Sequence, residues 1–282
     1  MTAAVVVQRF ASFSDGERGG NPAGVVIGDA LPPAEAMQRI AAEVGYSETA
    51  FAAREAEGWR VRYFAPEQEV PFCGHATIAL GAALALAQGD GVFALQLNEA
   101  RITVEGSHRD GVLAAALQSP PTRTTPVAPA ALAEALELFG LAADALDPRF
   151  PPVRAHAGAD HLVLMLAQRA TLARMAYALD RGRELMTREG WVTVLLGWEE
   201  SERRLHTRNA FAFGGVLEDP ATGAATAALA GYLRELGRPA EGRVEIVQGE
   251  DIAPGARSLL FADYGPAPGS SIRVSGSVRR LG

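Results

Sequence analysis

The sequence predicts an α+β fold of two strand-rich halves, each built around one apolar helix. Three observations carry this. Segments of strand character follow one another without a helix between each pair, unlike the alternation of a parallel doubly wound sheet. The run Ile78–Ala87 is apolar nearly all round, which marks a helix buried on every side. A second Ala-rich run, Ala224–Leu233, echoes it: shifted by 145 positions, Ala76–Ala85 and Ala221–Ala230 match at seven of ten places. That shift is about half of the 282 residues, which suggests two halves of one design.

Taken in order, Val5–Phe10 and Val25–Ile27 read as strands around a loop rich in Gly and Asp. Pro32 and Pro33 open a helix. Met37, Ile40, Ala41 and Val44 keep helical spacing and Gly45 ends it. Glu48–Ala53 and Trp59–Phe64 form a strand pair, and 66–71 is a loop. A helix spans Thr77–Gln88, with strands over Val92–Leu97, Arg101–Glu105 and Val112–Gln118. Ser119–Pro126, with prolines at 120, 121 and 126, reads as a linker. A helix over Ala130–Phe139 follows, then strands Pro151–Val153 and His161–Leu166, and a helix over Leu172–Leu179. Strands Trp191–Trp198 and Arg204–Ala210 precede the helix Thr222–Leu236. Val244–Gln248, Ser258–Phe261 and Ile272–Gly276 close the chain as strands.

Composition narrows the function. The chain is 48% hydrophobic and 21% charged, with net charge −7 and pI near 5.4. That argues against a nucleic-acid or anionic-membrane partner. Cys73 is the single cysteine, so an intrachain disulfide is impossible and nothing points to an oxidising compartment. The segment Met1–Gln8 lacks a charged leader and reads as a strand. The longest apolar run falls well short of the ~20 residues that span a bilayer. A cytoplasmic protein is expected. Neither a G-x-G-x-x-G after a strand nor a G-x-x-x-x-G-K-[ST] is present, so nucleotide binding has little support.

Four residues stand out chemically. His75 follows Gly74 at the start of the first buried helix, where free N–H groups and the dipole favour a carboxylate ligand. A histidine there can shuttle a proton; a locally hydrogen-bonded helix-start histidine is the plainer alternative. Asp219 takes the place of Gly74 before the second helix. It is either a helix cap or a site acid, and the adjacent Glu218 weighs against a lone cap. Thr222-Gly223-Ala224 again offers small residues and free N–H groups. Glu48, in Ser47-Glu48-Thr49-Ala50-Phe51, is a candidate base or else a solvent-facing strand residue. Cys73 is either an activated thiol or an inert buried one. His108, His156, His161 and His206 show no metal-ligand spacing, and no metal site is read.

Together these residues resemble the phenazine-biosynthesis PhzF-like isomerase family, related in fold to diaminopimelate epimerase. The resemblance runs over nearly the whole chain. It rests on Gly20-Asn21-Pro22-Ala23-Gly24-Val25, Ser47-Glu48-Thr49-Ala50-Phe51, and Arg62-Tyr63-Phe64-Ala65-Pro66 with Glu69. Cys73-Gly74-His75-Ala76-Thr77 and Gly215-Val216-Leu217-Glu218-Asp219-Pro220-Ala221-Thr222-Gly223 complete it, with Val247-Gln248-Gly249 and Val274-Ser275-Gly276 at the late strands. It implies two pseudo-symmetric domains, each a β-barrel-like sheet around a central helix, with the active cleft between them. The boundary falls between residues 121 and 122, with the last strand crossing back to the first half. Glu48, His75 and Asp219 match the acid/base positions. Asn21, Ser47, Cys73, Gly74, Thr222, Gly223 and Ala224 are the implied substrate contacts. The resemblance further implies catalysis without cofactor or metal, and a homodimer.

The chain departs from the family in two places. Asn209-Ala210-Phe211-Ala212-Phe213 lacks the usual Phe-Ala-Pro, and Asp251–Ser258 lacks the usual Gly-Arg-Pro-Ser ending. Both leave the acid/base positions intact and put the substrate in question. The expected activity is a cofactor-independent isomerase or epimerase moving a carbon-bound proton on a small carboxylate-bearing metabolite. A cysteine-assisted racemase using Cys73 and a non-catalytic binding protein are the alternatives. The thiol pair of the epimerases is missing, because there is no second cysteine.

Overall fold

A computed structural model describes residues 6–282. The chain divides into two compact units, Met1–Gln118 with Ser275–Gly282, and Ser119–Val274. The first holds β1 (Gln8–Ser12), β2 (Asn21–Gly28), α1 (Ala34–Val44), β3 (Thr49–Glu55), β4 (Gly58–Phe64) and β5 (Glu69–Val70). It continues with α2 (Gly74–Gln88), β6 (Gly91–Gln96), β7 (Arg101–Arg109) and β8 (Val112–Gln118). The second holds β9 (Arg123–Pro126), α3 (Pro129–Leu138), β10 (Val153–His156), β11 (Asp160–Met165), α4 (Arg169–Ala173) and α5 (Leu179–Glu189). After these come β12 (Thr193–Ser201), β13 (Arg204–Ala210), β14 (Glu218–Asp219), α6 (Gly223–Leu236), β15 (Gly242–Gln248) and β16 (Ser258–Tyr264). β17 (Arg273–Leu281) begins at the end of the second unit and continues into the first.

In the first unit the strands pair in the order β17-β1-β2-β3-β4-β6-β7-β8, and β8 pairs back to β17. Eight strands therefore close a ring. The β2–β3 and β4–β6 pairs are parallel, so the barrel is mixed, and β5 is a short outer strand on β4. α2 packs against β1, β2, β3, β6, β7 and β8 and fills the barrel. Its residues 75–85 are all buried, as the all-round apolar pattern requires. Two glycines let helix and wall touch. A Cβ on Gly81 would lie 2.5 Å from Val104 Cγ2, and one on Gly106 would lie 2.1 Å from the Gly81 carbonyl oxygen. α1 lies on the outer face, where Met37 and Ala41 pack with Val26, Phe51 and Phe64. Gly45, at φ +70°, supplies its left-handed C-cap.

The second unit pairs in the order β9-β10-β11-β12-β13-β15-β16, with β11–β12 and β13–β15 parallel. α6 touches β9, β10 and β11 at one end of this order and β16 at the other. The sheet therefore curls around the helix. Leu162, Leu164, Val194, Leu196 and Ala210 face an outer layer in which α3 and α5 contribute Ala131, Ala135, Leu185 and Met186. The alternate residues point the opposite way. Among them His161, Thr193 and Asn209 form a buried polar row. His161 Nδ1 lies 2.8 Å from Thr193 Oγ1, whose hydroxyl donates to Asn209 Oδ1 at 3.2 Å. The hydroxyl has one proton, so it accepts from Nδ1–H.

Several expectations need correction. Val5 lies outside the described residues, and the first strand is Gln8–Ser12. The first central helix begins at Gly74, three residues before Thr77. The expected linker 119–126 is tied down and contains β9. Ser119 N–H donates to Ile272 O, Ile272 N–H to Ser119 Oγ, and Thr122 N–H to Gly269 O. The helix read at Leu172–Leu179 is instead α4, ending at Ala173, and α5, beginning at Leu179. Gly182 hides α5, because it looks like a breaker. It is there for space: a Cβ would meet the Tyr177 ring at 2.5 Å. The strand expected at Pro151–Val153 runs over Val153–His156. No helix of the described residues is long and apolar enough to cross a membrane.

Two outcomes test this packing. Gly106→Ala pushes a methyl into helix backbone that cannot yield, so urea unfolding should show a loss of about 1–3 kcal/mol, the range for overpacking. His161 is fully buried, and burial pushes its pKa down to about 4 from 6.5. Between these values the unfolded chain binds a proton that the folded one refuses, so stability falls as pH drops from 6.5 to 4. The slope of ~1.4 kcal/mol per pH unit sums to about 3 kcal/mol. His161→Gln should remove this component, flattening the stability curve relative to wild type in that window.

Candidate active site

Glu48 immediately precedes β3, and its place is set by β2. Gly24 sits opposite Thr49 in the parallel β2–β3 pair, and its N–H donates to the Glu48 carbonyl at 3.2 Å. A Cβ on Gly24 would lie 2.6 Å from Thr49 Oγ1, so only glycine lets the strands close here. Asn21, three residues earlier, is only 2% exposed within β2, opposite Ser12. Ser12 Oγ–H in turn donates to the His75 carbonyl at 2.7 Å. The Asn21–Gly24 stretch thus belongs to the wall that carries both Glu48 and the helix start.

The start of α2 is anchored through Cys73, its N-cap. Thr77 sends both its N–H (3.0 Å) and its Oγ–H (2.7 Å) to the Cys73 carbonyl. The Thr77 hydroxyl then has no proton left for Tyr63, 2.7 Å away, so Tyr63 OH donates to it. Burial pushes the Tyr63 phenol well above its ordinary range, consistent with a permanent donor. The N–H groups of Gly74, His75 and Ala76 have no acceptor within the helix.

Around that start four side chains meet. His75 is 8% exposed. Its Nε2 lies 3.3 Å from Ser47 Oγ and 3.5 Å from Glu48 Oε2, and its Nδ1 lies 3.3 Å from Cys73 Sγ. The contact to Glu48 is at ion-pair distance but is not a formed hydrogen bond: Glu48 Oε2 is buried and has no hydrogen-bond partner. A carboxylate, an imidazole and a thiol from two separate stretches of sequence therefore share one locus.

In the second unit Asp219 occupies β14, opposite Asn209 of β13. Its Oδ2 accepts from the Thr222 hydroxyl at 2.5 Å. Gln248, fully buried, braces the turn between them. Its Nε2 donates to the Asp219 carbonyl at 2.7 Å and to Thr222 Oγ1 at 3.1 Å, while Oε1 accepts Thr222 N–H at 3.1 Å. Thr222 is the N-cap of α6 without a side-chain capping bond, and Gly223 and Ala224 are half-buried in its first turn. This corrects the register of the internal repeat. A shift of 145 sets Asp219 on Gly74. The helix starts align Cys73 with Thr222 instead, a shift of 149 (222 − 73). Gly74 then meets Gly223, Thr77 meets Thr226, and Leu80 meets Leu229. Asp219 stands one turn ahead of its helix, and the place matching Cys73 holds a threonine.

Glu218 also has a different role from the one its neighbour suggested. Adjacent strand residues point to opposite faces, so the two acids do not compete. Glu218 forms a bidentate pair with Arg208, whose closest contact is 2.5 Å. Burial pushes the Glu218 pKa up, partly offset by Arg208. Arg208 also donates to the carbonyls of Ala173 and Met175, fixing the loop after α4. Sequence reading missed Arg208, Gln248 and Tyr63 as positioning residues. Gln248 in a buried strand was the available signal, since a buried amide requires partners.

A mixed barrel around an apolar helix, with an acid, a base and a thiol at the helix start, defines a class of site suited to proton transfer. The family model described as phenazine biosynthesis-like protein (PhzC-PhzF) matches residues 10–264, and the chain belongs to this family. It is 34% identical over 235 residues to an uncharacterized isomerase of Deinococcus radiodurans, covering 81% of this chain and 76% of the relative. It is 33% identical over 267 residues to the trans-2,3-dihydro-3-hydroxyanthranilate isomerase of Pseudomonas fluorescens, covering 92% and 88%. The crystal structure of a PhzF-family protein from Bacillus anthracis matches with a TM-score of 0.84 at 22% identity, covering 99% of this chain and 97% of that one. The fold is α+β and PhzF-like, and the chain is an isomerase of that family.

The ion pair under β14 can be tested alone. Arg208→Met strands a buried carboxylate and should cost about 3–5 kcal/mol in chemical denaturation. Replacing both partners, Arg208→Met with Glu218→Leu, should recover much of the loss.

Proposed function

We propose that this isomerase moves a carbon-bound proton on a small, carboxylate-bearing metabolite. Glu48 Oε2 takes the proton from carbon. The carboxyl group shares it with His75 Nε2, and the pair returns it to a different carbon as the double bond shifts. The proton count and the oxidation level of the substrate are unchanged. The helix-start N–H groups of Gly74, His75 and Ala76 hold the substrate carboxylate. Asp219, held by Thr222 and Gln248, is proposed as a further acid/base group.

The observation that carries this reading is the buried, unpartnered Glu48 Oε2 at 3.5 Å from His75 Nε2. A buried carboxylate oxygen without a hydrogen bond is costly, and a base awaiting a C–H proton explains it. The dihydrohydroxyanthranilate isomerase at 33% identity supports a substrate of that general kind. The same reading takes the two units as pseudo-symmetric halves, each a barrel-like sheet about a central helix. Support comes from the central positions of α2 and α6 and from their matching starts.

A second reading has a specific observation behind it. Cys73 Sγ lies 3.3 Å from His75 Nδ1, a spacing at which an imidazole can take the thiol proton and leave a thiolate base. Alkylation blocked by substrate, with loss of turnover, would favour that route.

The test is solvent exchange in heavy water. With candidate carboxylates, wild type should place deuterium on carbon, and Glu48→Gln should lower the rate by roughly 100-fold or more while its unfolding curve stays near wild type. Unchanged exchange in Glu48→Gln sinks the assignment of the base.

A further inference from the structure

We propose that Arg62 and Glu69 are positioning residues for the start of α2, the first copy of an ion-pair clasp that recurs in the second unit. Arg62 Nε donates to Glu69 Oε1 at 2.7 Å, and its Nη2 donates to Oε2 at 2.5 Å. Arg208 and Glu218 make the corresponding bidentate pair. Strand register makes the two pairs one device. Phe64 of β4 pairs with Glu69 of β5, and Ala210 of β13 pairs with Glu218 of β14. Each arginine stands two residues before the residue opposite its glutamate, on the same face of the strand. Each glutamate stands four residues before the N-cap of its helix (73 − 69 and 222 − 218). The glutamates differ by 149 (218 − 69), the shift that aligns the helix starts, and the same shift sets Val70 on Asp219. The arginines differ by 146 (208 − 62), because the connection 211–217 is three residues longer than 65–68.

β5 is only two residues long, so its ladder gives little grip on the chain that enters α2. β4 grips that chain from both faces, because neighbouring strand residues point opposite ways. On one face Tyr63 is buried, and its OH donates to Thr77 Oγ1 within the barrel. On the other face Arg62 holds Glu69, which also accepts from Asn98 Nδ2 at 2.7 Å in the turn between β6 and β7. The Arg62 hydrogen bonds hold the Glu69 carboxyl below its ordinary range, so the clasp stays charged. Only Val70, Pro71 and Phe72 separate Glu69 from Cys73, whose Sγ lies 3.3 Å from His75 Nδ1. A shift at Glu69 therefore passes to the thiol and to the first turn of the helix. Paired charged hydrogen bonds fix direction as well as distance, and placing a helix start requires both.

The two copies differ in burial. The Arg208 and Glu218 side chains are 10% and 7% exposed, against 23% and 27% for Arg62 and Glu69. Breaking the second clasp strands a buried charge and lowers the stability of the fold. The first clasp meets water, where an ion pair contributes little to stability, so its loss is felt mainly in position. The bearing of this clasp on turnover rests on the proton transfer proposed above. Its hold on Cys73 does not.

The experiment is alkylation of the full chain by iodoacetamide, measured from zero to low urea. Cys73 is the single cysteine and is 8% exposed, so the rate reports on this turn alone. Local opening around the thiol gives a rate that hardly changes with urea, whereas access through global unfolding rises steeply with it. Arg62→Met and Glu69→Gln should each raise the urea-independent rate roughly tenfold, the effect of losing a charge-assisted hydrogen bond. Arg62→Lys keeps the charge without the guanidinium fork and should fall between them and wild type. Arg208→Met should lower global stability more, yet leave the urea-independent rate at the wild-type value. Urea-independent rates equal in wild type, Arg62→Met and Glu69→Gln overturn the proposal. So does an increase confined to the urea-dependent part, or one that Arg208→Met produces equally. Glu69→Gln keeps the side-chain shape and decides the matter should Arg62→Met fail to fold. The readout uses no substrate, so it stands even where the proton-transfer reading fails.

Discussion

The first unit depends on one constraint: an apolar helix enclosed by a closed ring of strands. A helix satisfies its backbone internally except at its ends. In α2 the sides can therefore be wholly apolar, and every polar obligation falls on the ends. The N-terminal turn meets that obligation with Cys73, Thr77 and Tyr63, joined through the Cys73 carbonyl. The first N–H groups remain for something else. The proposed site lies at the helix start because that is where the barrel leaves polar groups to be used.

Close packing is what makes the site exact in position. Gly81 and Gly106 bring helix backbone against β7, and Gly24 brings β2 against Thr49. Each contact removes slack between an element carrying a functional side chain and the wall behind it. Ser12 then reaches from β1 to the carbonyl of His75, which fixes the backbone that carries the imidazole, while the ring itself meets Ser47 and Cys73. A misplacement of even an ångström at a reacting group can cost about 100-fold in rate, which explains why so much close contact surrounds a few atoms.

The legible and illegible parts of the fold divide along physical lines. α2 was legible because burial on all sides leaves an unbroken apolar run, and Glu48, Cys73 and His75 because each sits in a short motif of small residues. The closure of the barrel was not legible. β17 pairs with β1 and β8 across most of the chain length, and no local pattern encodes such a partner. Gly182 looks like a helix breaker until the Tyr177 ring is seen to need its space. The prolines of 119–126 look like a linker, yet Pro126 ends a strand paired to Val153. The repeat misled by four residues because alanine matches alanine in several registers, whereas helix starts match in one.

The contrast between Glu48 and Glu218 shows how the proposed base differs from a structural carboxylate. Both are largely removed from water. Glu218 is answered by a bidentate guanidinium, the arrangement that makes a buried charge tolerable. Glu48 has an oxygen with no hydrogen bond and an imidazole held 3.5 Å away. An arginine at that locus would stabilise the folded chain and hold the carboxylate ionised in one orientation, leaving it a poor acceptor for a proton from carbon. A neighbouring imidazole can accept or give a proton and so leaves both states of the carboxyl group within reach. The barrel bears the cost of an unanswered oxygen, the one that receives the substrate proton in the proposed reaction.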